Sequence, residues 1–254
     1  MISIDKQRRI WICIPFRWDY EPYKPRNMIS LDLNPKKVVV YDGRRIRRIV
    51  TRFTEALHLK YLAEDVQKRH SYAWRRNEKW LEIIRALHRR SKNIVVDWCR
   101  RLAKYIVLKA RKAGSIIVLE DLEKLWFNSS RKSKTLADKL SRFAYGRLQH
   151  AIITKAIEYN VPILFIDPRN TSSTCPRCGT KLSYNHRLAI CRKCRFIADR
   201  DTIGAINIYL RALQAIAPRP RSWGTHPMTD ETQPKGGLPK DEPMTINMHS
   251  YKII

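Results

Sequence analysis

Four cysteines have the residue type and the spacing that bind a metal ion. Cys175 and Cys178 form one C-x-x-C pair, and Cys191 and Cys194 form a second pair after twelve intervening residues. Two such pairs can surround one Zn²⁺ with four sulfur ligands, because each pair chelates from a tight turn. The alternative is a cluster of reduced thiols without metal. The Pro and Gly residues in the turn of the first pair favour zinc.

Acidic residues at three separated positions indicate a second kind of chemistry. Asp32 lies inside an apolar strand, Glu120 directly follows another, and Asp201 stands at the start of the last helix. Strand ends and helix starts can meet at one edge of an α/β sheet. We therefore expect three carboxylates there, neutralised by Mg²⁺ or Mn²⁺. Two such ions hydrolyse a phosphodiester without a His or Ser nucleophile. Asp199 is an additional candidate ligand.

Each of these carboxylates also has a purely structural interpretation. Asp201 would cap a helix, Glu120 would be a surface residue after a strand, and Asp32 would pair with an arginine. A buried carboxylate without a partner costs several kcal/mol. The order of the three positions beside the cysteine pairs favours the metal site over these alternatives.

The composition points to a polyanionic partner. The chain has 254 residues, with 51 Lys and Arg against 23 Asp and Glu, for a formal net charge of +28. Such a surplus favours nucleic acid, because phosphate binding releases counterions; a ribosomal-type or simply soluble basic protein is the alternative. No apolar run has the length of a membrane span, so no membrane partner is expected. Cys13 and Cys99 are expected to be small apolar residues of the interior in a reducing compartment.

The order of predicted elements favours an α/β fold. Three strands come first, then a long helical region with a break near residues 90–93, and then strand, helix, strand, cysteine segment and last helix. This order suits a ribonuclease H-like mixed sheet with a helical-hairpin insertion and an inserted zinc ribbon. The predicted strands cover residues 28–33, 38–41, 45–50, 116–119 and 161–166, and the predicted helices lie in residues 52–113, 136–156 and 202–213.

The same pattern predicts the domain boundaries. Residues 28–171 form the nuclease core, with the helical insertion at 52–113. The zinc ribbon covers 172–198, and the last acidic motif with its helix covers 199–216. Two further segments flank these units: residues 1–27, which are short and broken by prolines, and residues 217–254, whose composition predicts a disordered tail.

Several blocks of the chain resemble the TnpB (OrfB) proteins of bacterial and archaeal insertion sequences, which are relatives of the type V CRISPR effector nucleases. I-S-L-D-L-N at residues 29–34 resembles the first RuvC motif, I-V-L-E-D-L at 117–122 the second, and D-R-D-T-I-G-A-I-N at 199–207 the third. The stretch D-P-R-N-T-S-S-T-C-P-R-C-G at 167–179 is the most specific signature.

The resemblance implies a RuvC nuclease with a structural Zn²⁺ and catalytic Mg²⁺ or Mn²⁺. It implies a transposon-encoded, RNA-guided DNA endonuclease whose partners are target DNA and an element-derived guide RNA. Asp32, Glu120 and Asp201 match the family's metal-binding carboxylates, and Asp199 occupies the neighbouring acidic position. We expect a monomer in the cytoplasm, associated with the nucleoid.

The region before the first motif leaves a second function open. Only 27 residues precede it, whereas family members usually carry a recognition and wedge region that holds guide RNA and reads the target-adjacent motif. Residues 1–27 are therefore interpreted as the remnant of a wedge-like region. The alternative function is a truncated, non-cleaving RNA- or DNA-binding accessory or regulatory protein. A generic zinc-ribbon module is the third interpretation, and Asp32 and Glu120 argue against it.

Overall fold

The computed structural model describes residues 2–4, 10–12, 23–121 and 135–216. Within these ranges the chain forms ten strands and four helices. The strands are β1 (Ile2–Ile4), β2 (Ile10–Ile12), β3 (Asn27–Leu33), β4 (Lys37–Tyr41), β5 (Ile46–Val50), β6 (Ser115–Glu120), β7 (Ile163–Ile166), β8 (Ser183–Asn185), β9 (Leu188–Ile190) and β10 (Ile197–Asp199). The helices are α1 (Phe53–Arg69), α2 (Glu78–Lys112), α3 (Leu136–Glu158) and α4 (Arg200–Ile216).

A five-stranded sheet in the order β5-β4-β3-β6-β7 forms the centre of the fold. Strand β3 is antiparallel to β4, which is antiparallel to β5. On its other side β3 runs parallel to β6, and β6 runs parallel to β7. The sheet is therefore mixed, and the predicted α/β class is confirmed. Strands β1 and β2 pair with each other, and β8, β9 and β10 form a small antiparallel sheet in the cysteine segment.

Side-chain alternation along β3 divides the interior into two apolar layers. Ile29 and Leu31 pack in the larger layer, which α1, α2 and α3 cover. Met28 packs in the smaller layer against residues of α4. Because side chains of a strand alternate between faces, Asp32 shares the α4 face with Met28 and Ser30. The first acidic residue therefore points towards the helix that carries the last one.

The helical pair turns at a different place from the predicted one. Helix α1 ends at Arg69 and α2 begins at Glu78, so the turn covers residues 70–77 and not 90–93. Asn77 caps α2 by accepting a hydrogen bond from a backbone N–H of its first turn. Ser91 lies inside α2, where its buried hydroxyl donates to the carbonyl of Ala56 at 2.7 Å. The polar run around it marks a helix–helix contact, and the prediction of a break there was wrong.

Two other predictions concern regions at the edges of the described structure. The tail at 217–254 lies outside the described residues, as does most of the segment 1–22 and the loop at 122–134. Cys99 is buried, as predicted, and Cys13 lies outside the described residues. Among the helices that the structure describes, none combines the length and the apolar character needed to cross a bilayer.

Candidate active site

Two neighbouring parallel strands place the first two acidic residues side by side. Strands β3 and β6 pair in a register that puts Ser30 opposite Val118. Two residues further along, the same register leads to Asp32 and Glu120. Both lie on the α4 face of the sheet, because residues two positions apart on a strand point to the same face, as Ser30 and Asp32 do, and Val118 and Glu120. The pairing register of the two strands therefore places Asp32 and Glu120 side by side, as predicted.

The first turn of α4 brings the third acidic residue to the same place. Asp201 is 5% exposed in that turn. Gly204 follows on the same helix, and a methyl group built on it would lie 2.8 Å from Oδ2 of Asp32. Glycine thus lets the helix backbone approach the carboxylate closely. Burial, together with the charges of Glu120 and Asp201, raises the pKa of Asp32 to about 8. The three predicted carboxylates therefore interact electrostatically.

A hydrogen-bonded chain holds the Glu120 carboxylate in one orientation. The hydroxyl of Thr171, which is 3% exposed, donates to Oε1 of Glu120 at 2.6 Å. The Asn207 amide of α4 donates to the carbonyls of Thr171 at 2.6 Å and Thr174 at 2.8 Å. Burial raises the pKa of Glu120, while the Thr171 hydrogen bond opposes the rise. Helix α4 therefore also fixes the loop that orients the second carboxylate.

Two basic residues neutralise the acidic pair at the start of α4. Nζ of Lys37 lies 2.9 Å from Oδ2 of Asp201 and 3.0 Å from Oδ1 of Asp199. Arg187 forms a second ion pair with Asp201 and lies 3.7 Å from Asp199. Burial opposes ionisation of Asp199, but the hydrogen bond from Lys37 and the one from the backbone lower its pKa. The Asp201 carboxylate therefore lies between two cationic side chains.

The helix cap at this position is Asp199. Its Oδ1 accepts a hydrogen bond from the backbone N–H of Asp201 at 3.0 Å. A carboxylate that receives backbone N–H groups at a helix start is a favourable N-cap. The capping role that the sequence analysis considered for Asp201 thus falls to its neighbour, and the Asp201 side chain turns to Lys37 and Arg187.

Sequence reasoning missed three residues of this site. Lys37 begins β4 and has the appearance of a solvent-facing lysine in a basic chain. Arg187 lies between β8 and β9, and the backbone N–H of Arg200 donates to its carbonyl at 2.9 Å, which brings the hairpin to α4. Thr171 stands in the signature stretch at 167–179, where its polar neighbours resemble an ordinary loop. Only their contacts reveal them.

The acidic set has the donor chemistry that hard divalent cations prefer, since Mg²⁺ and Mn²⁺ take carboxylate oxygens. Burial and, after it, repulsion from Glu120 and Asp201 raise the pKa of Asp32, and a bound cation would relieve that repulsion. The carboxylates are not as tightly grouped as the cysteines. Among the described residues, only the four cysteines form a group whose metal-binding atoms all lie within 4.8 Å of one another.

The four cysteine sulfurs lie in the geometry of a closed metal site. Sγ of Cys175 lies 3.5 Å from that of Cys194, and Sγ of Cys178 lies 3.5 Å from that of Cys191. The backbone N–H of Cys194 lowers the pKa of Cys191 to about 6, which favours the thiolate that metals bind. Gly179 has a φ of +71°, a value that suits glycine in the tight turn of the first pair. The cluster is compatible with zinc.

Comparisons with known proteins agree with this arrangement. A family model described as the Cas12f1-like TNB domain matches residues 145–208, which include the cysteines and the start of α4. A TnpB-like protein of Methanocaldococcus jannaschii is 27% identical over 210 residues, covering 79% of this chain and 74% of the relative. The CRISPR-associated endodeoxyribonuclease Cas12f1 of Sulfoacidibacillus thermotolerans is 34% identical over 120 residues, covering 46% of this chain and 27% of the relative.

A solved structure shares the fold. The cryo-EM structure of a Cas12f1–sgRNA–target DNA complex matches with a TM-score of 0.50 and 20% identity, over 75% of this chain and 51% of that chain. This chain therefore spans about half of the solved Cas12f1 protein. The chain is thus similar in sequence to TnpB-like proteins and to Cas12f1 endodeoxyribonucleases, and similar in fold to Cas12f1.

Proposed function

We propose that this chain is a RuvC-type, divalent-metal-dependent DNA endonuclease. The observation that carries the proposal is the convergence of Asp32, Glu120 and Asp201 from two adjacent parallel strands and one helix start. The sheet order β5-β4-β3-β6-β7, with its antiparallel first three strands, supports the ribonuclease H-like arrangement expected from the sequence. The nuclease relatives support the reaction class.

Each side chain of the site has a distinct part in the proposed reaction. Asp32, Glu120 and Asp201 would hold the ions, with Asp199 as a further ligand. Bound Mg²⁺ or Mn²⁺ would supply water activation and stabilisation of the leaving oxygen. Thr171 keeps the Glu120 carboxylate oriented. No nucleophilic side chain is needed in such a site.

A basic cleft beside the carboxylates suits a nucleic-acid strand as the substrate. The cleft has a volume of about 430 Å³ and lies against Asp201. Three cationic residues, Lys36, Lys37 and Arg187, line the cleft together with this carboxylate. Cations at this position attract the phosphate backbone. We propose that the scissile strand lies here, with its phosphate next to the metal-binding residues.

The proposed guide is an RNA transcribed from the transposable element that encodes the chain. The support is the nucleic-acid content of the Cas12f1 complex whose fold this chain shares, together with the net charge of +28. Zinc in the cysteine cluster would have a structural part, since four sulfur ligands leave no open position for substrate.

One observation favours the non-cleaving alternative. Asp201 is paired with Lys37 and Arg187, so its charge is compensated by protein cations. A site that is neutral without divalent ions would suit a protein that binds nucleic acid and leaves it uncut. When Mg²⁺ or Mn²⁺ is added to the complex with its target, an endonuclease would cut the DNA, whereas the non-cleaving protein would leave it intact.

The experiment uses the RNA that the protein itself selects. The chain is purified from its host, the bound RNA is sequenced, and a DNA target complementary to that RNA is offered with Mg²⁺ or Mn²⁺. Cleavage that disappears in Asp32→Asn and persists in Asp42→Asn supports the endonuclease. Asp42 is a matched control because it is exposed and accepts hydrogen bonds only in the β4–β5 turn. Bound RNA and DNA without cleavage would establish the alternative.

A further inference from the structure

The distal half of the α1–α2 hairpin extends away from the apolar core. Helix α2 has 35 residues, which corresponds to about 52 Å at 1.5 Å per residue. Its buried contacts with the main core begin at Ile94, and those of α1 end at Leu59. In the described segments 60–69 and 78–90, Ala63 and Ile84 are the only buried residues. The far end of the hairpin is therefore not needed to cover the sheet.

The turn at this far end is rich in aromatic rings. We call residues 70–80 the hairpin tip. Tyr72 is 89% exposed, the highest value among the exposed large apolar and aromatic residues of the described chain. The ring of Trp80 stacks on His70, with centroids 3.9 Å apart and planes at 19°. An exposed aromatic side chain as large as that of Tyr72 is unfavourable in water unless a partner covers it.

The hairpin tip also carries positive charge that no acidic residue neutralises. Arg75 places its guanidinium 4.4 Å from the centroid of the Trp74 ring. Arg76 and Lys79 lie nearby, and none of these three cations has an ion pair within the described residues. The one acidic residue of the tip, Glu78, pairs with Arg85 at 3.0 Å. The tip thus combines the exposed ring of Tyr72 and two half-buried tryptophan rings with three cations that have no ion pair in the described residues.

We infer that the hairpin tip is a binding site for unpaired nucleotides. Flat aromatic rings stack on the faces of bases, and neighbouring Arg and Lys residues contact the phosphates on either side. A duplex hides its base faces except at its ends, so the tip selects single-stranded segments. RNA and DNA share this chemistry. The site is separate from the carboxylates, and binding there does not depend on the proposed cleavage.

The position of the hairpin tip suits it to hold one part of a nucleic acid while another part lies at the carboxylates. The hairpin tip would hold a single strand at the far end of the long helix α2, away from the cleft beside Asp201. A loop or end of a bound nucleic acid would then be fixed at one point while another part of it reaches the carboxylates. We expect the tip to add affinity for partly unpaired nucleic acids without changing the cleavage chemistry.

Photo-crosslinking tests the site directly. Single-stranded 12-mers of U-rich RNA carrying 5-iodouridine, and of T-rich DNA carrying 5-iododeoxyuridine, are irradiated with the full-length protein, and cross-linked peptides are identified by mass spectrometry. We expect cross-links at Tyr72 or Trp74 and far fewer with a fully paired duplex of equal length. Comparing cross-linking of the RNA 12-mer with that of the DNA 12-mer shows which nucleic acid the tip binds. Equal cross-linking by the duplex would contradict the inference.

Binding measurements with variants give the second readout. Fluorescence anisotropy at about 0.3 M salt reduces the non-specific phosphate contribution. The double variant Tyr72→Ala with Trp74→Ala is expected to weaken single-strand binding about tenfold or more, because it removes the rings on which bases would stack. Tyr72→Phe keeps the ring and is expected to bind as the unchanged protein does. Circular dichroism checks that each variant is folded.

Matched variants separate this site from the rest of the basic surface. Tyr105→Ala removes a ring that is 48% exposed and lies 5.8 Å from the ammonium group of Lys109, on the same long helix but outside the tip. It is expected to leave single-strand binding unchanged, and Asp32→Asn is expected to keep the tip cross-links. If the double variant binds as tightly as Tyr105→Ala, the tip is not a nucleotide site. Loss of cleavage in Asp32→Asn with intact tip cross-links would separate the two proposals.

Discussion

The cysteine cluster and the carboxylate site both have donor atoms that suit metal ions, but they are assembled in different ways. The four cysteines come from two neighbouring turns of one small subdomain, and their sulfurs lie within 4.8 Å of one another. The carboxylates come from β3, β6 and the start of α4, which are distant in sequence. The cysteine cluster thus depends on local turns, whereas the carboxylate site depends on sheet register and on the docking of one helix.

The difference predicts which perturbations each site survives. A local site fails when its ligands are changed and is otherwise independent of the main sheet. A site built from distant elements fails when any of its supports shifts. The two sites are also connected, because Thr171 and Arg187, on either side of the first cysteine pair in sequence, contact Glu120 and Asp201. Damage to the ribbon should therefore reach the carboxylates.

The largest effect is expected from removing cysteine ligands. The double change Cys191→Ala with Cys194→Ala should reduce bound zinc from one ion per chain to none, and the ribbon should unfold, because structural zinc contributes on the order of 10 kcal/mol to such small domains. Elemental analysis and thermal unfolding measure both. Cys99→Ala is the matched control, since that buried cysteine lies in the helical layer. A zinc-free but fully folded unchanged protein would contradict the prediction.

A smaller effect is expected from Asp32→Asn on stability against pH. The pKa of Asp32 is about 8 in the folded protein and near 3.8 in the unfolded chain. A raised folded-state pKa stabilises the fold fully below pH 3.8, and the contribution is lost as pH rises through about 8. Without Mg²⁺ or Mn²⁺, Asp32→Asn should therefore be more stable than the unchanged protein at pH 8, by up to roughly 5 kcal/mol.

Urea unfolding at pH 5 and pH 8, with zinc bound and other divalent ions absent, measures this difference. The stability of the unchanged protein should fall between the two pH values by more than that of Asp32→Asn. Asp42→Asn should follow the unchanged protein, because Asp42 is an exposed turn residue. Parallel pH curves for all three proteins would show that Asp32 does not have the raised pKa.

The smallest effect is expected at the residue that orients Glu120. Thr171→Val removes the hydroxyl that donates to Glu120 and leaves a side chain of similar shape. Cleavage should fall about tenfold, because a hydrogen bond to a charged group contributes roughly 1.5–3 kcal/mol. Thr171→Ser retains the hydroxyl and should remain close to the unchanged protein. If both variants lose the same activity, the methyl group, and not the hydrogen bond, is the important feature.

The sequence identified the candidate ligands more readily than the residues that position them. Cysteine pairs and a carboxylate in an apolar strand are unusual enough to be recognised by type and spacing, and the structure brings Asp32, Glu120 and Asp201 together as expected. Lys37 and Arg187 are common residue types in a chain with 51 Lys and Arg. Nothing in their local sequence distinguishes the two that reach Asp201 from the many that face water.

The helical region shows that tertiary contacts also limit how well the fold can be predicted from sequence. The apolar spacing correctly predicted helices between residues 52 and 113, but the polar run around Ser91 was interpreted as a turn. Ser91 is buried and its hydroxyl has a partner on α1. The actual turn contains Tyr72 and Trp74, large aromatic residues that usually indicate an interior. Tertiary contacts decide whether a polar residue such as Ser91 finds a buried partner and whether an aromatic residue such as Tyr72 stays exposed.

Manganese binding tests the carboxylate site most directly. Electron paramagnetic resonance of Mn²⁺ added to zinc-loaded protein would be compared for the unchanged chain, Asp32→Asn, Glu120→Gln, Asp201→Asn and the control Asp42→Asn. The unchanged chain and the control should bind Mn²⁺ equally. Each of the three site variants should bind it at least tenfold more weakly, about 1.4 kcal/mol. Equal binding by all five proteins would contradict a metal site formed by Asp32, Glu120 and Asp201.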